Sequence, residues 1–213
     1  EQLYFDLISA LLSDEENEEI AEGGGTPKVD PDTGLPVDGG ALKPGLPVGG
    51  GRPNKAQNVR EAQNVLDVAK RRFKPNFLQL YFAAMIALEK RDFDQALEDL
   101  RRAETIAKNA DPTRLNHILY FQMGTTAERA GKFKEAEKYF RQSIGKKPDY
   151  ATALNYLGYM WADRGENLDE AIKLIDRALK ESPDNGAYLD SRAWALYKQG
   201  KIKEALEWQL KAL

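Results

Sequence analysis

Residues 154–183 read LNYLGYMWADRGENLDEAIKLIDRALKESP, and this stretch decides the fold. Apolar residues recur at intervals of three and four on both sides of Gly165, which is the pattern of two amphipathic helices. Glycine at this position suits a tight turn, because it relieves backbone strain. Pro183 predicts the end of the second helix, since helices usually end before a proline. The stretch therefore predicts a helical hairpin.

The hairpin recurs along the chain. Five alanines stand in equivalent settings, at spacings of 34, 40, 35 and 34 residues, namely Ala62, Ala96, Ala136, Ala171 and Ala205. A second small residue follows each of them seven positions later, on the same helical face. The helix upstream of each alanine has its own residue in an equivalent position, and it is small in all helices but the first. These residues are Leu7, Ala84, Gly124, Gly158 and Ala193. Small residues on facing helices allow close approach, so the period indicates stacked helix pairs.

The motif of residues 154–183 resembles the tetratricopeptide repeat (TPR), with one residue inserted in its turn, and residues 120–148 match it without an insertion. The resemblance implies an all-α fold, a right-handed α-solenoid of about five TPR helix pairs. The sequence departs from the motif at five positions. Arg91 replaces a turn glycine, Asp6 and Arg192 occupy positions that are usually apolar, Gln209 replaces the apolar residue four after the alanine, and Pro75 is displaced by one residue.

The first repeat is interrupted by a long insertion rich in glycine and proline. Residues 2–5 and 79–82 share the sequence QLYF, which identifies residues 1–13 as the first helix of repeat 1. The prediction is a single TPR domain, 1–213. After the first helix come the insertion at 14–54 and the second helix of repeat 1 at 55–75. Repeats 2, 3 and 4 follow at 76–112, 113–148 and 149–183, and an incomplete, uncapped repeat 5 ends the domain at 184–213. Nine acidic residues against three basic ones make the insertion acidic. It is interpreted as a solvated flexible loop, or alternatively as an acidic arm that folds back on the mildly basic solenoid or reaches a basic partner.

The resemblance also implies a binding face. In TPR folds the first helix of each pair lines a concave groove through its second, fifth, ninth and twelfth positions. Carried over to this sequence, the fifth and ninth positions predict contacts to a protein or peptide partner by Tyr81, Met85, Phe121, Thr125, Asn155, Tyr159, Asp190 and Trp194, with Tyr4 and Ile8 at the same places in the first helix. Alternatively, several of these side chains pack between neighbouring helices. Exposure is favoured most for Tyr159 and Trp194, which lie off the apolar stripe.

The TPR subclass that grips a carboxylate uses Lys, Arg and Asn at these positions, whereas this chain mostly has aromatic and apolar residues. An extended or helical segment with apolar side chains is therefore the preferred ligand. The function predicted is that of a non-catalytic scaffold or adaptor.

Other classes of site find little support in the sequence. The chain has no cysteine, and His117 is its single histidine, so a thiol site or a site with several histidines is excluded. The acidic residues near Asp30 lack the terminal glutamate of a calcium loop. A net charge of −3 and the absence of a phosphate-binding glycine motif speak against nucleic acid and nucleotides. We expect no enzyme activity, no metal, no cofactor and no membrane-spanning segment.

The last helix carries leucines that no following helix covers, at Leu206, Leu210 and Leu213. Either the native chain continues beyond this helix, which is the simpler explanation, or this face pairs with another copy of the chain. An alternative function is therefore self-assembly through the uncapped C-terminal helix, giving a homo-oligomer. Residues 154–213 also resemble the end repeats of bacterial envelope TPR lipoproteins, some of which are scaffolds or protease adaptors. That resemblance implies a bacterial source and favours the periplasm over the cytoplasm, and an upstream lipid anchor is compatible with it.

Overall fold

The computed structural model of the chain describes residues 2–12 and 53–212. These residues form ten α-helices, a 3-10 turn at Pro112–Arg114 and no strand. The helices are α1 (Gln2–Leu12), α2 (Pro53–Arg72), α3 (Phe77–Glu89), α4 (Phe93–Ala110), α5 (His117–Arg129), α6 (Phe133–Lys146), α7 (Ala151–Arg164), α8 (Leu168–Glu181), α9 (Gly186–Lys198) and α10 (Ile202–Lys211).

The predicted insertion, 14–54, lies outside the described residues except for its last two positions. Those two belong to α2, which begins at Pro53 rather than at residue 55. Proline is tolerated there because the first turn of a helix leaves its backbone N–H groups without helical partners.

The chain divides into two compact units. The first comprises the described residues up to Leu115 together with Thr125–Lys132, and the second comprises Asn116–Gly124 and the described residues from Phe133 onward. The division therefore falls within α5.

The core of the first unit lies between α3 and α4, which pack along their length. The sequence of α3 is nearly all apolar and most of its residues are buried, as expected for a helix covered on several sides. The facing small residues Ala84 and Ala96 are both fully buried. Side chains of Asn76 and Asp92 cap α3 and α4 by accepting from backbone N–H groups three residues on.

The helix α1 packs against α2 and α3. Phe5 and Ile8 point inward, and the ring of Phe5 stacks on that of Phe82 with 5.5 Å between centroids. Leu7, which the repeat alignment puts at the small-residue position, is instead 48% exposed. A leucine is too large for close approach at that point, so α1 packs through a different stripe from the other first helices.

The second unit contains α6 to α10 and the first half of α5. Close approach of its paired helices depends on glycine. A Cβ atom built on Gly158 would lie 2.7 Å from Cγ1 of Ile175 and 2.8 Å from the carbonyl oxygen of Ala171. The helices α6 and α8 end two residues before Pro148 and Pro183, as predicted.

Candidate protein-binding face

In the first unit, the predicted contact residues of α3 differ in exposure. Tyr81 is buried, with its ring stacked on Phe77 at 5.9 Å and edge-on to Phe82 at 5.7 Å. Burial raises the pKa of Tyr81 to about 12, because the phenolate would lose its hydration. Met85, one turn further on, is half-buried.

The two predicted residues of α5 are also covered. Phe121 is buried among aromatic rings of the second unit, with centroids 5.0 Å from Tyr156, 5.6 Å from Tyr150 and 5.9 Å from Phe140. Thr125 is buried as well. The expectation of an accessible side chain is therefore corrected at Tyr81, Phe121 and Thr125, because each packs within the helical array.

In the second unit, α7 and α9 pack against each other. On α7, Asn155 is buried, and its Oδ1 atom has no hydrogen-bond partner. The expectation of an accessible side chain is corrected at Asn155 too. Tyr159, one turn along the same helix, is half-buried. The unpaired Oδ1 atom of Asn155 costs free energy because it is buried without a hydrogen bond, so a donor supplied by a binding partner would stabilise the site there.

The helix α9 presents a stripe of three side chains at spacings of four and three, which share one helical face. Asp190 is exposed and makes no hydrogen bond or ion pair with any described residue. Trp194 is half-buried, and its ring stacks on that of Tyr197 with 5.5 Å between centroids and 20° between planes. Tyr197 is 52% exposed. We call Asp190, Trp194 and Tyr197 the α9 stripe.

Lys198 contacts the α9 stripe at Trp194. Its Nζ lies 5.3 Å from the centroid of Trp194 and donates a 2.7 Å hydrogen bond to the backbone carbonyl of Asp163 on α7. The Nε1 atom of Trp194 is buried without a partner. The stripe thus combines a free carboxylate, a stacked aromatic pair and an unsatisfied donor, which suits recognition of an apolar segment that carries a basic group.

Residues Tyr197 and Lys198 were not among the predicted contacts. Tyr197 occupies the twelfth position of its helix, which the family resemblance names as a contact position, so a signal for it was present in the sequence. The position of Lys198 over Trp194 depends on packing between α7 and α9 and has no comparable signal.

The described ranges, 2–12 and 53–212, contain no group of three or more His, Cys, Asp or Glu side chains placed to hold a metal ion. In the same residues, no helix is both long enough and apolar enough to cross a bilayer.

Comparison with known families bears directly on these helix pairs. One tetratricopeptide repeat model matches residues 77–149, and a second matches residues 121–186 and 162–213, so that the two together span 77–213. The chain belongs to the tetratricopeptide repeat family. The all-α TPR fold predicted from the sequence is thereby confirmed, and TPR proteins bind protein or peptide partners.

This TPR chain is 36% identical over 159 residues to the TPR repeat-containing protein PA4667 of Pseudomonas aeruginosa. That match covers 75% of this chain and 26% of the relative, so the chain spans about a quarter of the relative's length. The relative supports the bacterial source that the sequence implies.

Solved TPR structures share the fold at low identity. MamA from Desulfovibrio magneticus matches with a TM-score of 0.65 at 18% identity, covering 74% of this chain and 85% of that one. YrrB, described as a TPR protein with an unusual peptide-binding site, matches with a TM-score of 0.61 at 18% identity, covering 74% and 77%. At these identities the likeness concerns the fold alone.

Proposed function

We propose that this TPR chain is a non-catalytic adaptor that binds a protein or peptide partner through the α7 and α9 face of its second unit. The observation that carries this proposal is the α9 stripe, where an exposed tyrosine stacks on a half-buried tryptophan one turn from a free carboxylate. Aromatic side chains of this kind supply much of the binding free energy at protein interfaces.

The ligand that fits is an extended or helical segment that places an apolar or aromatic side chain on Trp194 and Tyr197. A basic group in that segment would pair with Asp190. The covered polar atoms of Asn155 and Trp194 add a second contribution. A partner group that donates to Asn155 Oδ1, and one that accepts from Trp194 Nε1, would each remove an unsatisfied-group cost of about 1–3 kcal/mol. Both atoms lie beneath the surface, so binding there requires a side-chain rotation.

Tyr159 of α7 is half-buried and is proposed as a secondary contact beside the α9 stripe. Met85 is half-buried and is proposed as a partner contact of the first unit taken by itself. Tyr81, Phe121 and Thr125 are proposed to support the helices rather than to touch the partner.

The test is capture of partners from envelope and cytosolic extracts of the source organism with the intact chain and with the double variant Trp194→Ala and Tyr197→Ala. We expect a partner that the intact chain retains and the double variant loses. Val68→Ala on α2 is the matched control, since it removes an exposed apolar side chain outside the α9 stripe. A partner retained equally by all three proteins would reject the α9 stripe as the binding face.

Self-assembly is a second candidate function, and one observation favours it. Ile202, Leu206 and Leu210 form a stripe on α10 and are each more than half exposed. Large apolar side chains grouped on a surface mark interaction sites more often than single ones do.

A further inference from the structure

Asn185 and Gly186 form the only Asn-Gly pair in the sequence, and they lie where α9 begins. Asparagine is a thermolabile residue, because the backbone nitrogen that follows it can attack its side-chain amide. Glycine has no Cβ atom and therefore leaves that nitrogen least hindered. The pair is chemically reactive, and the structure decides when it can react.

The folded chain holds this asparagine as the N-cap of α9. Its Oδ1 atom accepts hydrogen bonds from the backbone N–H groups of Ala187, at 3.0 Å, and Tyr188, at 3.3 Å. With ψ of Asn185 at 107°, the nitrogen of Gly186 lies on the far side of the Cα–C bond from Cβ. That nitrogen reaches Cγ only after rotation about the Cα–C bond, which breaks the two cap hydrogen bonds.

The packing of the first turn of α9 opposes this rotation. Tyr188 and Leu189 are both buried, and opening of the turn would expose them to water. The N–H group of Gly186 has no carbonyl partner within α9, because Gly186 is the first helical residue. Within the helix the attacking nitrogen is therefore unpaired, and the backbone conformation fixed by the cap and the packing is what prevents the reaction.

We infer that Asn185 is a site of deamidation, gated by opening of the first turn of α9. The nitrogen of Gly186 gives up its proton and bonds to Cγ of Asn185. The bond from Cγ to Nδ2 breaks, and ammonia leaves with that proton, which gives a cyclic imide. Water then adds to one of the two imide carbonyl groups and breaks its bond to nitrogen. Opening at Cγ gives aspartate, and opening at the backbone carbonyl gives isoaspartate.

The two products affect α9 differently. Aspartate keeps a side-chain oxygen at the N-cap and adds a negative charge at the positive end of the helix dipole, so α9 keeps its start. Isoaspartate routes the main chain through the former side chain and places a carboxylate directly on Cα, so the cap geometry is lost. The isoaspartate product therefore weakens the first turn of α9.

The test is peptide mapping by mass spectrometry of the full chain, kept at neutral pH in buffer and at increasing urea concentrations. We expect deamidation at Asn185 to be at least about tenfold slower in buffer than in fully denaturing urea, because the opened turn is a minor state. The rate should begin to rise at urea concentrations below the unfolding transition measured by circular dichroism.

The chain offers two controls. Asn76 caps α3 in the same way but is followed by the bulky Phe77, so it should stay unmodified even in urea. The variant Asn185→Ser keeps a capping side chain and should abolish deamidation at this position without shifting the unfolding transition.

Three results would overturn the inference. An Asn185 that stays intact even in urea excludes the site. Equal rates in buffer and in urea show that the N-cap does not hold the reaction back. A rate that rises only together with global unfolding rejects a gate in the first turn of α9.

Discussion

Arg192 of α9 lies over the indole ring of Trp208 on α10, with its guanidinium carbon 4.0 Å from the ring centre. The same guanidinium donates hydrogen bonds to Asp176 of α8, so one side chain joins three helices. In the preceding hairpin the equivalent position is Leu157, which is almost fully buried. The departure from the repeat pattern at Arg192 is thus explained, since a cation over an aromatic ring replaces an apolar contact.

This contact predicts a measurable coupling. We expect Trp208→Ala to lower the free energy of unfolding by about 2 kcal/mol, less than a fully buried tryptophan would, because Trp208 is half-buried. A double-mutant cycle of Arg192→Ala and Trp208→Ala, measured by urea denaturation, should show a coupling of about 1 kcal/mol. The pair Lys173→Ala and Trp208→Ala should be additive, because Lys173 is bonded to Glu170 instead. Additivity in the first cycle would contradict the proposed contact energy.

Arg91 stands in the left-handed region of backbone conformation at φ 60°, where the corresponding turns have Gly131, Gly165 and Gly200 at φ 69–80°. An L-residue in this region is strained by roughly 1–2 kcal/mol, whereas glycine is not. We expect Arg91→Gly to raise the free energy of unfolding by about 0.5–1 kcal/mol, with part of the gain offset by the greater freedom of glycine in the unfolded chain. Gly131→Ala should have the opposite sign. Thermal unfolding of both variants checks the pair, and a loss of stability in Arg91→Gly would contradict the expectation.

Two helical glycines should respond in opposite directions to the same substitution. Gly158→Ala would bring its Cβ within 2.8 Å of a backbone oxygen of α8, so we expect a loss of about 2 kcal/mol. Gly145 lies in α6 with no atom within 4 Å of an added Cβ. Gly145→Ala should therefore stabilise the chain by about 0.5–1 kcal/mol through helix propensity. Urea denaturation measures both, and equal effects would rule out close helix packing at Gly158 as the cause.

Tyr81 makes the stability depend on pH at the alkaline end. Its pKa of about 12 in the folded chain exceeds the value of about 10 expected in the unfolded chain. Because the folded state holds this proton more tightly, the stabilisation is complete below about pH 10 and is lost as the pH rises towards 12.

We therefore expect the ionisation of Tyr81 to lower the free energy of unfolding by about 1.4 kcal/mol for each unit of rising pH between about pH 10 and 12. Tyr81→Phe should remove that part of the slope in urea titrations performed from pH 9 to 12. Identical slopes for the two proteins would show that Tyr81 ionises as easily in the folded as in the unfolded chain.

The helix pairs could be predicted from sequence because they depend on local chemistry. The alternation of three and four sets the apolar face of each helix, and the turn and proline positions limit its ends. The small residues at Gly158 and Ala171 identified which faces come together, and the structure confirms that contact. The TPR family follows from the same residues, so the sequence by itself determined the fold class.

Only the tertiary structure decided which side chains of the predicted face are accessible. Tyr81 is at the fifth and Trp194 at the ninth position of a first helix, and both were predicted to line the groove. Tyr81 is buried beneath its neighbours, whereas Trp194 remains half-exposed beside Tyr197. The position of Arg192 between Asp176 and Trp208 could not be predicted from the sequence either. Exposure and such contacts depend on helices brought together from distant parts of the chain, and the periodicity of one helix records which face is apolar but not how far its neighbours cover it.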